Sequence, residues 1–180
     1  MTTDRSRLRQ LIFTGLFAAI IFIGISLLRI PLPALVGRPF IHFGNPLMIL
    51  AIVFLGGGYG FAAGAIGLGG FDLLNGYAAT SWLTVLEVAV MALVISQAMR
   101  ALRVSAHPGR IAAIGVIGGL TKLVTSYLVG IVEALMVGTK FGVAIVAAFL
   151  SLPATAINSL ATAIIVPVLY LALRPVFTRR

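Results

Sequence analysis

The sequence predicts an all-α integral membrane protein, a single domain over residues 1–180 with six transmembrane helices and both termini in the cytoplasm. Of its 180 residues, 61% are hydrophobic and only 9% are charged, so most of the surface must face lipid rather than water. The apolar residues form runs close to the ~20 residues that a helix needs to cross a bilayer. Apart from Lys122, the basic residues lie at or beyond the ends of these runs, as the positive-inside rule predicts.

The six apolar segments differ in length, and the second of them decides the topology. They cover residues 10–29, 44–56, 58–75, 82–101, 110–136 and 142–174. Residues 44–56 form a short run that could instead be a re-entrant loop. Six spans with a cytoplasmic N-terminus place nine basic residues inside and three outside, whereas five spans place four inside and eight outside. The positive-inside rule therefore favours six spans.

The first segment carries small residues at helical spacing. Its apolar run is longer than that of a signal peptide, so we interpret it as a retained helix. Small residues four positions apart let another helix approach closely. Two such pairs occur here, Thr14 with Ala18 and Gly15 with Ala19. They suit packing within the chain, and on an outer helix they also suit docking of a partner protein.

The last segment, residues 142–174, is too long to cross a bilayer of about 30 Å upright. Pro153 and Pro167 lie within it. A kink near Pro153, a tilt or a cytoplasmic extension would each accommodate the extra length.

Ionisable residues inside the apolar segments are the strongest functional signal. A charged group at the centre of a membrane helix costs about 2.5–3.5 kcal/mol, so it usually faces protein or a wet cavity. Glu87 lies in the fourth segment, and Lys122 and Glu133 lie in the fifth. Their spacing puts Lys122 and Glu133 on one helix face, about 16 Å apart. Ser126 shares that face, and Glu87 is placed to neutralise Lys122 from the neighbouring helix.

More polar residues are expected at the same outer level, which favours a ligand site over an ion pair that only orients helices. They are His42, Asn45, Asp72, Asn75 and Tyr77, with Trp82 nearby as a ring that could stack on a flat ligand. Asn158, a polar residue inside the sixth segment, is a further candidate. A few convergent polar groups in an apolar lining are typical of small-molecule pockets. Two alternatives stay open: Asn45 could cap the helix that Pro46 begins, and Trp82 could belong to an interfacial aromatic belt.

Motifs argue against several kinds of chemistry. The chain has no cysteine, and its two histidines, His42 and His107, are far apart, so no metal site is expected. Phosphate-binding loops, zinc-protease motifs and nucleophile elbows do not occur, so we expect neither an enzyme nor a cofactor. The net charge of +9 fits helix ends at a lipid surface better than nucleic acid. A stand-alone proton-coupled carrier of small solutes remains an alternative, with Glu87 or Glu133 carrying the proton.

The stretch IHFGNPLMILAIVFLGGGYGFAAGAIGLGGFDLLNGY, residues 41–77, resembles the substrate-binding S components of energy-coupling factor (ECF) vitamin transporters. The group that it resembles holds the pantothenate, hydroxymethylpyrimidine and pyridoxine-type members. Three elements carry the resemblance: Ile41-His42-Gly44-Asn45, Gly57-Tyr59-Gly60 and Asp72-Gly76-Tyr77.

The resemblance implies a function and a set of partners. Such an S component captures a small vitamin from outside, in a site in the outer half of the membrane, without a cofactor of its own. It docks on a transmembrane coupling subunit, EcfT, which carries two cytoplasmic ATPase subunits. The family's A-x-x-x-A docking face on the first helix corresponds here to Gly15 and Ala19. The expected location is the bacterial cytoplasmic membrane, with the lipid bilayer around a multi-pass protein.

Overall fold

The computed structural model describes residues 2–31, 40–103 and 108–178. Arg38, His107 and the two final arginines lie outside these ranges. The chain forms helices α1 (Thr2–Ser26), α2 (Gly44–Leu55), α3 (Gly57–Gly64), α4 (Gly70–Leu74), α5 (Ser81–Ala101), α6 (Pro108–Met136) and α7 (Phe141–Thr178). A π-helical segment, Ala65–Gly69, joins α3 to α4, and strands β1 (Arg29–Pro31) and β2 (Phe40–His42) lie between α1 and α2.

Each predicted apolar segment corresponds to a helical region. Within the described ranges, four helices are long and apolar enough to cross a membrane: Ser6–Ser26, Ser81–Ala101, Pro108–Met136 and Phe141–Phe177. Helix α2 has 12 residues and is only about 18 Å long, less than the ~30 Å hydrocarbon core. The run from α3 through α4 is longer but is interrupted by the π-helical segment. The all-α membrane class is therefore confirmed.

An antiparallel hairpin, which was not predicted, connects α1 to α2. Its register pairs Arg29 with His42 and Ile30 with Ile41. The hairpin positions His42 directly before α2, and the Gly44 N–H donates a hydrogen bond to His42 Nδ1 at 3.1 Å. Gly44 has no room for a side chain, because an added Cβ would lie 2.9 Å from His42 Nδ1 and from Leu68.

Helix α1 carries two pairs of small residues on different faces. One pair is buried against the rest of the chain, and the other pair is exposed. Thr14 and Ala18 are 6% and 5% exposed. A Cβ added at Gly67 of the π-helical segment would lie 2.8 Å from the Ala18 carbonyl oxygen, so these two backbones are in close contact. Gly15 and Ala19 face away from the rest of the chain, and nothing lies within 4 Å of a Cβ added at Gly15. Thr14 and Ala18 are therefore packing residues, contrary to their predicted docking role.

Helices α6 and α7 form a close antiparallel pair through small residues. Gly115 lies against Ala163, and Gly119 lies against Ser159, with backbone oxygens 2.9–3.0 Å from the positions that added Cβ atoms would take. The buried Ser159 hydroxyl donates to the Gly119 carbonyl at 2.8 Å. Small-x-x-x-small spacing of this kind permits close packing where lipid offers no hydrophobic drive between helices.

Aromatic side chains from the middle of α1 pack against others from the C-terminal parts of α2 and α7. The Phe54 ring stacks on Phe177 with centroids 4.3 Å apart and on Tyr170 at 5.1 Å. Phe13 and Phe17 lie 4.9 Å and 5.9 Å from Phe177. These five residues are the aromatic cluster. They bring the middle of α1 together with the C-terminal parts of α2 and α7.

Helix α7 continues without a break from Phe141 to Thr178, past three internal prolines. A proline in a helix interior removes one backbone hydrogen bond and clashes with the preceding turn. The sequence predicted that a kink, a tilt or an extension would accommodate the long last segment. The structure shows an extension, because the helix continues past the predicted end at residue 174.

Candidate ligand-binding site

A cavity of about 320 Å³ opens among β2, α2, α6 and α7. Its lining is mostly polar. The lining residues are His42, Asn45, Lys122, Ser126, Glu133, Ser151, Ala154, Thr155 and Asn158. Six of the eleven predicted ligand-binding residues are among them, and they come from β2, α2, α6 and α7. The volume is at the lower end of the ~300–1,000 Å³ range of small-molecule sites.

Lys122 is the cationic group of the cavity, and Glu87 neutralises it. Lys122 Nζ lies 2.6 Å from Glu87 Oε2, so the predicted pairing across α5 and α6 is present. The Ser126 hydroxyl donates to the other oxygen, Glu87 Oε1, at 3.4 Å. The Lys122 side chain is 20% exposed and that of Glu87 is 9% exposed, so the lysine borders the cavity and the carboxylate lies behind it.

His42 lies outside the helices and contributes a neutral imidazole. Burial, together with the positive charge of Lys122, lowers its pKa from 6.5 to about 3. Because Nδ1 accepts the hydrogen bond from Gly44, the ring proton of the neutral form is on Nε2. A neutral histidine beside Lys122 adds no positive charge to the site.

Two asparagines border the cavity from opposite sides. Asn158 Oδ1 accepts a hydrogen bond from the His42 N–H at 3.1 Å, which ties the hairpin to α7. Asn45 is 4% exposed and lies inside the first turn of α2, which begins at Gly44. The N-cap position is occupied by Phe43, and no side-chain capping bond is present. The interpretation of Asn45 as a helix cap is therefore wrong.

The other predicted residues do not line the cavity. Glu87 acts from behind Lys122, as described above. Asp72 accepts a hydrogen bond from the Thr84 hydroxyl, and the Asn75 amide donates to the Phe71 carbonyl at 2.8 Å. Tyr77 is 43% exposed and packs on Phe71, and Trp82 is 49% exposed. These side chains occur near the connection from α4 to α5 and are not among the lining residues of the cavity.

Sequence reasoning missed the polar stripe of α7. Ser151, Thr155 and Asn158 recur at intervals of four and three, which is one face of a helix. All three line the cavity, although only Asn158 was predicted. The signal was present in the spacing, but hydroxyl side chains are common in membrane helices and do not stand out as charged groups do.

The chemistry of the cavity is that of hydrogen bonding. Its lining offers an ammonium, an imidazole, two carboxamides, three hydroxyls and the Glu133 carboxyl. Within the part of the chain that the structure describes, no group of three or more His, Cys, Asp or Glu residues could hold a metal ion. The arrangement is suited to orienting a polar small molecule that enters from outside the bundle.

Comparison with known proteins identifies the family. The family model described as "ECF-type riboflavin transporter, S component" matches residues 5–175, nearly the whole chain. No curated protein and no solved structure matches the chain. The expectation of an ECF S component is confirmed, whereas the vitamin in the family name differs from the three suggested by the sequence motifs. This chain, with its cavity between a hairpin and three helices, belongs to the ECF-type riboflavin transporter S component family.

Proposed function

We propose that this chain captures one small water-soluble vitamin, or vitamin precursor, in the cavity beside Lys122. As an ECF S component, it is a multi-pass transport protein of the cytoplasmic membrane rather than an enzyme. S components work with the coupling subunit EcfT and ATPase subunits, which supply the energy for uptake. The observation that carries the proposal is the convergence of α2, α6, α7 and the hairpin on one polar cavity in an otherwise apolar bundle.

Riboflavin is the first candidate ligand, because the family name specifies it. Hydroxymethylpyrimidine, pyridoxine and pantothenate are the further candidates that the motifs of residues 41–77 suggest. All four carry hydroxyl groups, which the hydroxyls of α7 and the amides of Asn45 and Asn158 can bind. The polar lining supports recognition of such hydrogen-bonding groups.

We also propose six membrane crossings with both termini in the cytoplasm. The four long spans account for four of them. Helix α2 and the run from α3 through α4 would supply the other two, in spite of their lengths. The contact between Phe13 of α1 and Phe177 of α7 supports termini on the same side, which requires an even number of crossings. The excess of arginines on the predicted inner side agrees with that arrangement.

The docking face for the coupling subunit is proposed to include Gly15 and Ala19. Both are exposed on α1, and the open space at Gly15 would let a partner helix approach the backbone. A Gly15→Leu substitution is expected to reduce co-purification with EcfT and leave vitamin binding to the isolated chain unchanged.

The decisive experiment identifies the ligand directly. The chain is purified in detergent without partner subunits or ATP, and the retained small molecule is identified by mass spectrometry. Binding of riboflavin is then measured by quenching of flavin fluorescence, and the other three vitamins by calorimetry. Tight binding of one of them is expected. Uptake by vesicles that contain only this chain, abolished by an uncoupler, would instead support a proton-coupled carrier.

A further inference from the structure

The charged groups around the cavity provide no net positive charge that would attract an anion. Of the described residues that line it, Lys122 is the cation and Glu133 is the acidic group. Glu87 contacts Lys122 at 2.6 Å and cancels its charge from behind. His42 is neutral, with its pKa lowered to about 3 by burial and by Lys122. Since Glu133 is either neutral or negative, the sum over these groups is zero or negative, and never positive.

Lys122 can still contribute to binding, but as a hydrogen-bond donor. Its ammonium has three N–H groups, and Glu87 Oε2 accepts one of them. Among the residues that the structure describes, no other acceptor bonds this ammonium, so its remaining N–H groups can donate to carbonyl, hydroxyl or ring-nitrogen acceptors of an uncharged ligand. A ligand carboxylate or phosphate would have to compete with Glu87 for the same ammonium and would meet Glu133 in the same cavity. It would also lose hydration without gaining a free countercharge.

We infer that the cavity selects uncharged ligands and that Glu87, which does not line it, is the residue that determines this specificity. The inference rests on the proposed function and narrows its ligand class to neutral, hydroxyl-bearing heterocycles. Anionic vitamins are excluded because the Lys122 ammonium is already paired with the Glu87 carboxylate. Glu87 acts as a positioning residue through Lys122, held in place by Ser126 on its second oxygen.

The test compares ligands that differ in charge and little else. Three such pairs are riboflavin with riboflavin 5′-phosphate, pyridoxine with 4-pyridoxate, and pantothenol with pantothenate. Affinities are measured by calorimetry on the purified full-length chain. For the pair whose neutral member binds best, we expect the anion to bind at least about tenfold more weakly. An anion that binds as tightly as its neutral partner would overturn the inference, whereas no binding by any of the six or by hydroxymethylpyrimidine would overturn the proposed function instead.

Glu87→Gln is the variant that isolates the specificity residue. Glutamine keeps an oxygen that can accept from Lys122 but removes the negative charge, so Lys122 becomes available to an anion. The anion-to-neutral affinity ratio is expected to rise at least about tenfold. Asp72→Asn is the matched control, because it removes a carboxylate that does not line the cavity and bonds Thr84 instead of Lys122, and it should change the ratio much less. An unchanged ratio in Glu87→Gln would assign the specificity elsewhere.

A second variant keeps the inference testable if Glu87→Gln does not fold. Glu133→Gln removes the other acidic group from the cavity and leaves the Lys122–Glu87 pair intact. It is expected to weaken the discrimination against the anion by a smaller factor than Glu87→Gln does. If Glu133→Gln alone admits the anion at the affinity of the neutral partner, then Glu133, and not Glu87, determines the specificity.

Discussion

The two ends of this helix bundle are built from different side chains, although α2 and α7 contribute to both. At one end, polar groups surround the candidate ligand cavity, and some of them are oriented by a specific partner, such as Glu87 for Lys122. At the other, the aromatic cluster joins α1, α2 and α7 by ring contacts such as that of Phe54 with Phe177. A buried polar group in a membrane requires a hydrogen-bonding or oppositely charged partner at one specific position. An aromatic ring is stabilised by any apolar surface of sufficient area. The cavity end should therefore be intolerant of single changes, and the aromatic end should tolerate them.

The largest effect is expected from Lys122→Met. It leaves Glu87 buried without its countercharge, which typically costs about 3–5 kcal/mol of stability. It also removes a donor from the cavity, so vitamin binding should be lost. Thermal unfolding in detergent and calorimetric binding measure the two effects separately.

The double variant Lys122→Met, Glu87→Met separates the two roles of the pair. Removing both charges should restore most of the stability, because replacing a buried ion pair by apolar residues is often neutral. Vitamin binding should remain absent. A double variant that binds as well as the unmodified chain would show that the pair only orients α5 and α6.

In the middle of the bundle, between the two ends, an enlarged side chain should destabilise the fold. A Cβ at Gly118 of α6 would overlap with the Ile49 side chain of α2, so Gly118→Ala should destabilise by about 1–3 kcal/mol. Gly15→Ala on the open face of α1 is the matched control, with nothing within 4 Å of the added atom. Equal unfolding temperatures for the two variants would contradict this packing.

His42 should make the cavity end sensitive to acid. Its pKa falls from 6.5 to about 3 on folding, so the folded protein binds fewer protons than the unfolded chain between these values. Above about pH 6.5, where His42 is neutral in both states, it causes no loss of stability. As the pH falls below that value, the free energy of unfolding decreases, by about 2 kcal/mol at pH 5. His42→Asn retains an acceptor for the Gly44 N–H and does not titrate. The difference in acid sensitivity between the two proteins measures the contribution of His42.

The smallest effect is expected at the aromatic cluster. In a double-mutant cycle of Phe54→Leu and Phe177→Leu, the coupling between the two rings should be about 1 kcal/mol. Ligand affinity should change by less than about twofold, because distant sites act independently. A large loss of affinity would show that the two ends are coupled and would weaken the distinction between them.

The sequence predicted well how deep each residue lies in the membrane. It predicted poorly which face of its helix each residue occupies relative to the cavity. Hydropathy located every helical region to within a few residues, apart from the polar start of α1. It also located Lys122 and Glu87 at matching levels, and their pairing followed. Asp72 and Trp82 were assigned to the site because they share that level, but neither lines the cavity. Rotation about a helix depends on packing, and the π-helical segment before Asp72 changes it in a way that periodicity does not reveal.

The hairpin and the Ser151–Thr155 stripe were missed for a related reason. Each strand has only three residues, too few for an alternating pattern to be recognised. Single hydroxyls in a membrane helix cost little, so they give a weak signal until the structure brings them beside Asn158.

The uninterrupted course of α7 has a mechanical consequence. With 38 residues the helix is about 57 Å long, and even at a steep tilt of about 40° it would rise about 44 Å along the membrane normal, against a hydrocarbon thickness of about 30 Å. Several turns must therefore lie outside the hydrocarbon, or the helix must bend at its internal prolines. Because Phe177 in its last turns packs on Phe13 and Phe17, the C-terminal end of α7 moves with α1 and not as a separate rod.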